Sequence, residues 1–180
     1  MTYSEKLKDP KNKILYKDSS IMKLEIKSNK YGYFEFIIDT DDYDKIKNYK
    51  WGIDIHWEKT NLMYVRRVDK NNNKIYIHNV IMNDKSIDHK DNDGLNNKKS
   101  NLRKCTNSEN VINRKIQSNN TSGYKGVSLI KKSNKWNAYI KTKNKRIHLG
   151  NYESKIDAAK AYNQASIKYH GEFAQLNEVK

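Results

Sequence analysis

The sequence predicts an α+β chain of short antiparallel strands and a few helices, arranged as two small units. Three observations carry this. Only 36% of the 180 residues are apolar, so any core is modest and split into pieces. Apolar and polar residues alternate in short runs bounded by Asn, Asp, Lys and Gly, the pattern of half-buried strands. After residue 118 the turn-rich stretch "NNTSG" leads into a basic final third of different character. The expected division is 1–118 and 119–180.

Taken in order, residues 1–20 are polar without clear periodicity and read as an arm. "MKLEIKSNKYGYFEFIID", residues 22–39, alternates around a turn at "SNKYG" and reads as a β-hairpin. "DTDDYDKIKNY" follows as a short helix, capped by Asp39 or Thr40, with acidic residues in its first turn. "KWGIDIHW" and "LMYVRRVD" alternate again, "NNN" turns, and "KIYIHNVIM" is a strand running into a short helix.

Beyond the linker, "GYKGVSLI", "KWNAYIK" and "RIHLGNY" read as three strands, and "SKIDAAKAYNQASIKYHG" as a helix. Ser154 and Asp157 have the spacing of a capping box. Ala158, Tyr162, Ala165 and Tyr169 share one face, and Gly171 ends the helix.

Composition narrows the function. One cysteine, Cys105, excludes a disulfide framework and any zinc site built on several thiolates, and it reads as a small packed residue. No apolar run reaches the roughly 18 residues of a membrane span, and the amino terminus lacks a signal-peptide core. A soluble, intracellular, cytoplasmic protein is expected. The formal net charge is +15, and residues 119–180 hold twelve Lys+Arg against four Asp+Glu. Clustered cations attract nucleic acid through counterion release.

Against that charge, "IDHKDNDGLNNKKSNLR", residues 87–103, is locally acidic. A calcium loop is one reading. Counting from Gly94 puts His89 at its first position and Ser100 at its twelfth, where a bidentate glutamate belongs, so that reading fails. A polar connecting loop accounts for Asp91, Asp93 and Gly94 as turn chemistry. It leaves Asp88 and His89 at a strand end without a reason. The third reading is a nuclease site of strand, loop, strand and helix, with Thr106 and Glu109 as a capping box and Asn110 in the first helical turn. Phosphodiester hydrolysis needs a base for water and a hard cation on the phosphate.

The stretch "IDHKDNDGLNNKKSNLRKCTNSENVINR" resembles the HNH motif of phage and intron-encoded homing endonucleases, over about residues 78–114. The resemblance implies a ββα-metal finger. It implies His89 as general base, Asn101 as the residue that orients it, and Asp88 and Asn110 as ligands of Mg²⁺ or another divalent cation such as Mn²⁺. Asn110 stands where the last His of the motif's name would be, and Asn113 is a weaker candidate on the same helix. "IYIHNVIM" resembles the segment preceding the motif, with His78 structural.

In the final third, Trp136, Ala138, Ile140, Ile147 and Leu149 alternate toward the helix. Lys135, Asn137, Tyr139, Lys141, Arg146 and His148 face away. "GYKGV", "KWNAYI", "RIHLGNYES", "DAAKAYNQAS" and "GEFAQLN" are similar to the AP2/ERF DNA-binding domain, whose fold is a three-stranded antiparallel sheet packed on one helix. The resemblance implies DNA contacts from Lys125, Lys141, Arg146 and His148, with Lys135 added. Ser128, Lys141 and Lys125 replace arginines of plant members and His148 replaces a tryptophan, so a different target is expected. The expected whole is a monomeric endonuclease acting on double-stranded DNA, with no membrane or protein partner. A non-catalytic DNA-binding regulator is the alternative.

Overall fold

The computed structural model describes residues 12–56, 62–114, 116, 119–143 and 145–179. The chain packs as two compact units, one reaching to Lys104 and the other starting at Cys105.

In the first unit, β1 (Ile14–Lys17), β2 (Ile21–Ser28) and β3 (Gly32–Asp39) form an antiparallel sheet in that order. The hairpin is where its alternation placed it. Met22, Leu24 and Ile26 point inward with Phe36 and Ile38, all nearly or fully buried. Residues 14–17 form an edge strand rather than part of an arm, held by pairing such as Lys17 with Met22. The first eleven residues of the expected arm lie outside the described residues.

A 3₁₀ turn (Thr40–Asp42) and α1 (Tyr43–Ile46) follow. Asp39 does not cap them with its side chain. Its Oδ2 instead accepts the backbone N–H of Lys99 at 2.7 Å, a contact sixty residues away that no local pattern encodes.

A second sheet runs β4 (Gly52–His56), β5 (Leu62–Val68), β6 (Lys74–Tyr76), also antiparallel. Trp57, at the end of the expected strand, lies outside the described residues. β6 passes directly into α2 (Ile77–Met82). Then β7 (Ile87–His89) pairs with β8 (Leu102–Lys104) across the acidic loop. One core joins these elements, including Trp51, Val65, Ile77, Ile81, Ile87 and Leu102.

The second unit begins with α3 (Asn107–Asn113), whose N-terminus carries the expected capping box between Thr106 and Glu109. A three-stranded sheet of β9 (Val127–Ile130), β10 (Lys135–Lys141) and β11 (Arg146–Tyr152), with β10 central, packs on α4 (Lys155–His170). Ala158, Ala159, Tyr162 and Ala165 form the buried helix face. Small side chains let the helix lie close to the sheet: a Cβ on Gly126 would stand 2.1 Å from the Tyr162 ring and 2.5 Å from Tyr139 O.

Tyr169 is exposed rather than part of that face. The last turn of α4 meets β10 through His170 instead, whose Nε2 lies 2.8 Å from Lys141 O. Packing also assigns residues 105–114 to the second unit, whereas the sequence placed the boundary at 119. The Nζ of Lys125 donates to the carbonyls of Ile112 and Arg114, tying the end of α3 to the strand module.

Candidate functional site

In the first unit, His89 ends β7 with 4% of its surface exposed, and Asp88 beside it is also buried. The ring of His89 sits among aromatic groups from the second sheet and α2. The His78 ring is edge-on at 4.8 Å, and the Tyr64 centroid is 5.9 Å away. His78 is in turn stacked on Tyr76 at 5.5 Å. Burial keeps both imidazoles below their ordinary pKa, His78 down to about 3 with His89 adding a smaller effect. A neutral ring at neutral pH is a proton acceptor.

The loop of residues 90–101 is fastened at many points. Asp91 Oδ1 accepts the N–H of Asp93 at 2.8 Å, and its Oδ2 accepts Asn96 Nδ2 at 2.7 Å. Asp93 Oδ1 takes the N–H of Leu95. These two aspartates hold the turn, as their residue type predicts. Gly94 has a different reason for being glycine. A Cβ there would meet Met63 O at 2.1 Å and the Tyr64 ring at 2.6 Å, so the loop closes directly onto β5.

The expected pairing of Asn101 with His89 is not how these amides are arranged. Asn101 gives Nδ2 to Asp91 Oδ1 at 2.9 Å and to Asn96 O at 2.8 Å, and it accepts the N–H of Asp91. Its main-chain carbonyl takes the N–H of Lys90. Asn101 thus braces the loop next to His89. The amide that meets the imidazole is Asn97, with Oδ1 3.1 Å from His89 Nε2. Asn97 was missed because four asparagines crowd this loop and only its docking on β3 selects among them.

Arg103 was missed too. It faces Asp88 across the β7–β8 pair and donates Nε and Nη2 to Asp88 Oδ2 at 3.1 and 2.9 Å. Both strands were expected here, but their register, which sets residue 88 opposite residue 103, depends on how the loop between them folds. In the second unit, Asn110 is half-buried in the first turns of α3, and Asn113 is buried.

The outer face of the β9–β11 sheet carries most of the expected DNA-contacting residues. Tyr139 is opposite His148, Lys141 is opposite Arg146, and Asn137 lies between Ser128 and Asn151. A register shift after Ala138 leaves this face continuous. The Arg146 guanidinium lies over the Tyr139 ring at 3.4 Å, which fixes a flexible cation on the sheet. Asn151 joins the face as an unexpected member. Lys135 is paired with Glu153 at 2.7 Å. Lys125 does not join: its ammonium is engaged by the carbonyls of Ile112 and Arg114 at the end of α3, and burial lowers it to about 8.

Comparison with known proteins adds two findings. The AP2 domain family matches residues 122–172. A protein of Acanthamoeba polyphaga mimivirus, named as an uncharacterized HNH endonuclease, is 30% identical over 154 residues, 82% of this chain and 76% of its own. An AP2-like ethylene-responsive transcription factor of Arabidopsis thaliana is 32% identical over 59 residues, 33% of this chain and 12% of its own. APETALA2-like protein 2 of Oryza sativa subsp. indica is 33% identical over 57 residues, 32% and 13% of the two chains. The chain therefore spans only a small part of these plant relatives. No solved structure matches.

Proposed function

The chain belongs to the HNH endonuclease family, and we propose on that footing that it hydrolyses phosphodiester bonds of duplex DNA, brought to its target by the AP2 domain. The observation that carries the reading is the setting of His89. It is a buried, neutral imidazole, adjacent in sequence to a buried carboxylate and clamped among aromatic rings. Such a group is suited to take a proton from an attacking water.

Asp88 and Asn110 are the residues proposed to hold a divalent cation. They offer a carboxylate and an amide oxygen, both hard donors, and Mg²⁺ or Mn²⁺ is the fitting guest. Among the described residues no group of three or more His, Cys, Asp or Glu is placed to hold a metal. A site of few protein oxygens and several waters is how Mg²⁺ is ordinarily held. When bound, the cation would supply positive charge for the phosphate and the leaving 3′ oxygen. Arg103 holds the Asp88 carboxylate in one orientation, and Asn101 holds the loop that follows His89.

The sheet face of Asn137, Tyr139, Lys141, Arg146 and His148 is proposed to lie in the major groove, where a β-ribbon fits. A source in a phage or another mobile element, of the homing type, is part of the same proposal, and its support is that the relative named as an HNH endonuclease is viral. The likeness to plant transcription factors supports the competing reading of a DNA-binding protein that does not cut.

Supercoiled plasmid with Mg²⁺, incubated with the protein and with His89→Ala, separates the two. Nicking or linearisation by the unmodified chain and its loss in the variant is the expected result. Equal cutting by both would remove His89 from the mechanism. Binding without cutting by either would favour the regulator.

A further inference from the structure

We infer that Asn97 is a positioning residue that selects which nitrogen of His89 acts as the base, fixing the proton on Nε2 and leaving the lone pair on Nδ1. The inference rests on the nuclease reading for its catalytic meaning, and on the loop geometry for its content.

A neutral imidazole carries one proton on two unequal nitrogens, and its hydrogen-bond partners decide the tautomer. Asn97 is fully buried, and its amide has two identifiable neighbours. One is Gly94 O, 3.2 Å from Nδ2. A carbonyl oxygen only accepts, so the amide must turn its NH₂ toward Gly94. That places Oδ1 against His89 Nε2 at 3.1 Å. An amide oxygen also only accepts, so Nε2 must be the donor. The Gly94 carbonyl thus sets the tautomer of the imidazole through the amide between them.

Both ends of this relay are held. Gly94 is pressed against Met63 O and the Tyr64 ring, with no room for a Cβ. The backbone N–H of Asn97 donates to Ile37 O at 2.8 Å, and Ile37 N–H donates to Leu95 O at 2.9 Å, so β3 grips the loop on either side of residue 96. Tyr64 touches both Gly94 and His89. Rotation of the amide would put oxygen against the Gly94 carbonyl oxygen and turn the NH₂ toward the ring nitrogen, at a side chain that is fully buried. After His89 takes a proton at Nδ1, the Nε2–H···Oδ1 bond becomes charge-assisted and shorter. Asn97 therefore steadies the imidazolium as well as the free base. Asn101, whose amide is engaged within the loop, cannot perform this selection.

Long-range ¹H–¹⁵N NMR on the full chain with ring-labelled histidine reads the tautomer directly. At neutral pH His89 is expected to show a protonated Nε2 and an unprotonated Nδ1. Asn97→Leu, similar in volume but without an acceptor, is expected to mix the tautomers and to slow plasmid nicking by roughly 10–100-fold, the range for partners that orient a functional imidazole. If that variant fails to fold, Asn97→Ala is read in the same way. A His89 protonated on Nδ1 in the unmodified chain overturns the inference. So does a folded variant whose tautomer is unchanged. A protein with the expected tautomer that cuts no DNA would sink the nuclease reading alone, and a cutting protein with the opposite tautomer would sink only this one.

Discussion

Asp88 and Arg103 face each other across a two-stranded pair, and both nitrogens of the guanidinium edge, Nε and Nη2, reach the same carboxylate oxygen. Their side chains are 7% and 9% exposed, so both charges are largely withdrawn from bulk water. Breaking a buried pair by removing one partner leaves an uncompensated charge. Arg103→Met is expected to cost about 3–5 kcal/mol in urea unfolding. The double variant Asp88→Asn with Arg103→Met is expected to be more stable than Arg103→Met alone. A single-variant loss of only a few tenths would show that the pair does not hold the hairpin.

His78 predicts an acid limb in stability. Burial keeps its folded pKa near 3 against an ordinary 6.5. Between those values the unfolded chain binds a proton that the folded chain refuses. The associated stability is therefore complete above pH 6.5 and is lost as pH falls toward 3, at about 1.4 kcal/mol per pH unit. His78→Phe, which keeps the stacking on Tyr76, is expected to flatten the urea midpoint between neutral pH and pH about 4. An equally steep acid limb in that variant would assign the effect elsewhere.

Lys125 and Arg146 separate two uses of a cation in one sheet module. Lys125→Met removes the donor to the two carbonyls at the end of α3, those of Ile112 and Arg114. It is expected to lower stability by about 1–3 kcal/mol while the salt dependence of DNA binding stays the same. A flattened salt dependence would return Lys125 to the DNA.

Arg146→Ala should do the reverse. Its guanidinium is exposed and fixed over Tyr139, so its loss is expected to reduce the slope of log affinity against log salt by about one. Melting temperature should barely change. Binding titrations at several salt concentrations decide it, and an unaltered slope would take Arg146 off the DNA face.

Much of this architecture was legible because its causes are local. The alternation of residues 22–39, the Thr106–Glu109 box and the alternating faces of β10 and β11 depend on neighbours within a few positions. The divergences share another cause. Asp39 answers Lys99 instead of its own helix, Asn97 displaces Asn101 at His89, and Lys125 turns toward α3. Each is a polar side chain whose partner lies far along the chain or must be chosen among identical neighbours. Residue type there announces the capacity for a hydrogen bond and leaves its address to packing. β1 was hidden for a related reason, since an exposed edge strand has only half an apolar pattern to display.

The grip of β3 on residues 95–97 also has a consequence for folding kinetics. Contacts of such sequence separation close late, because chain entropy must be lost before they stabilise anything. The β2–β3 hairpin can form from its own residues, but the loop beside His89 cannot take shape until that hairpin exists. Pulse-labelled hydrogen exchange should protect the Phe36 amide before the Asn97 amide. In a newly made chain the surroundings of His89 therefore stay unassembled for as long as the first strands remain unfolded, so the order of assembly itself delays the completion of that site.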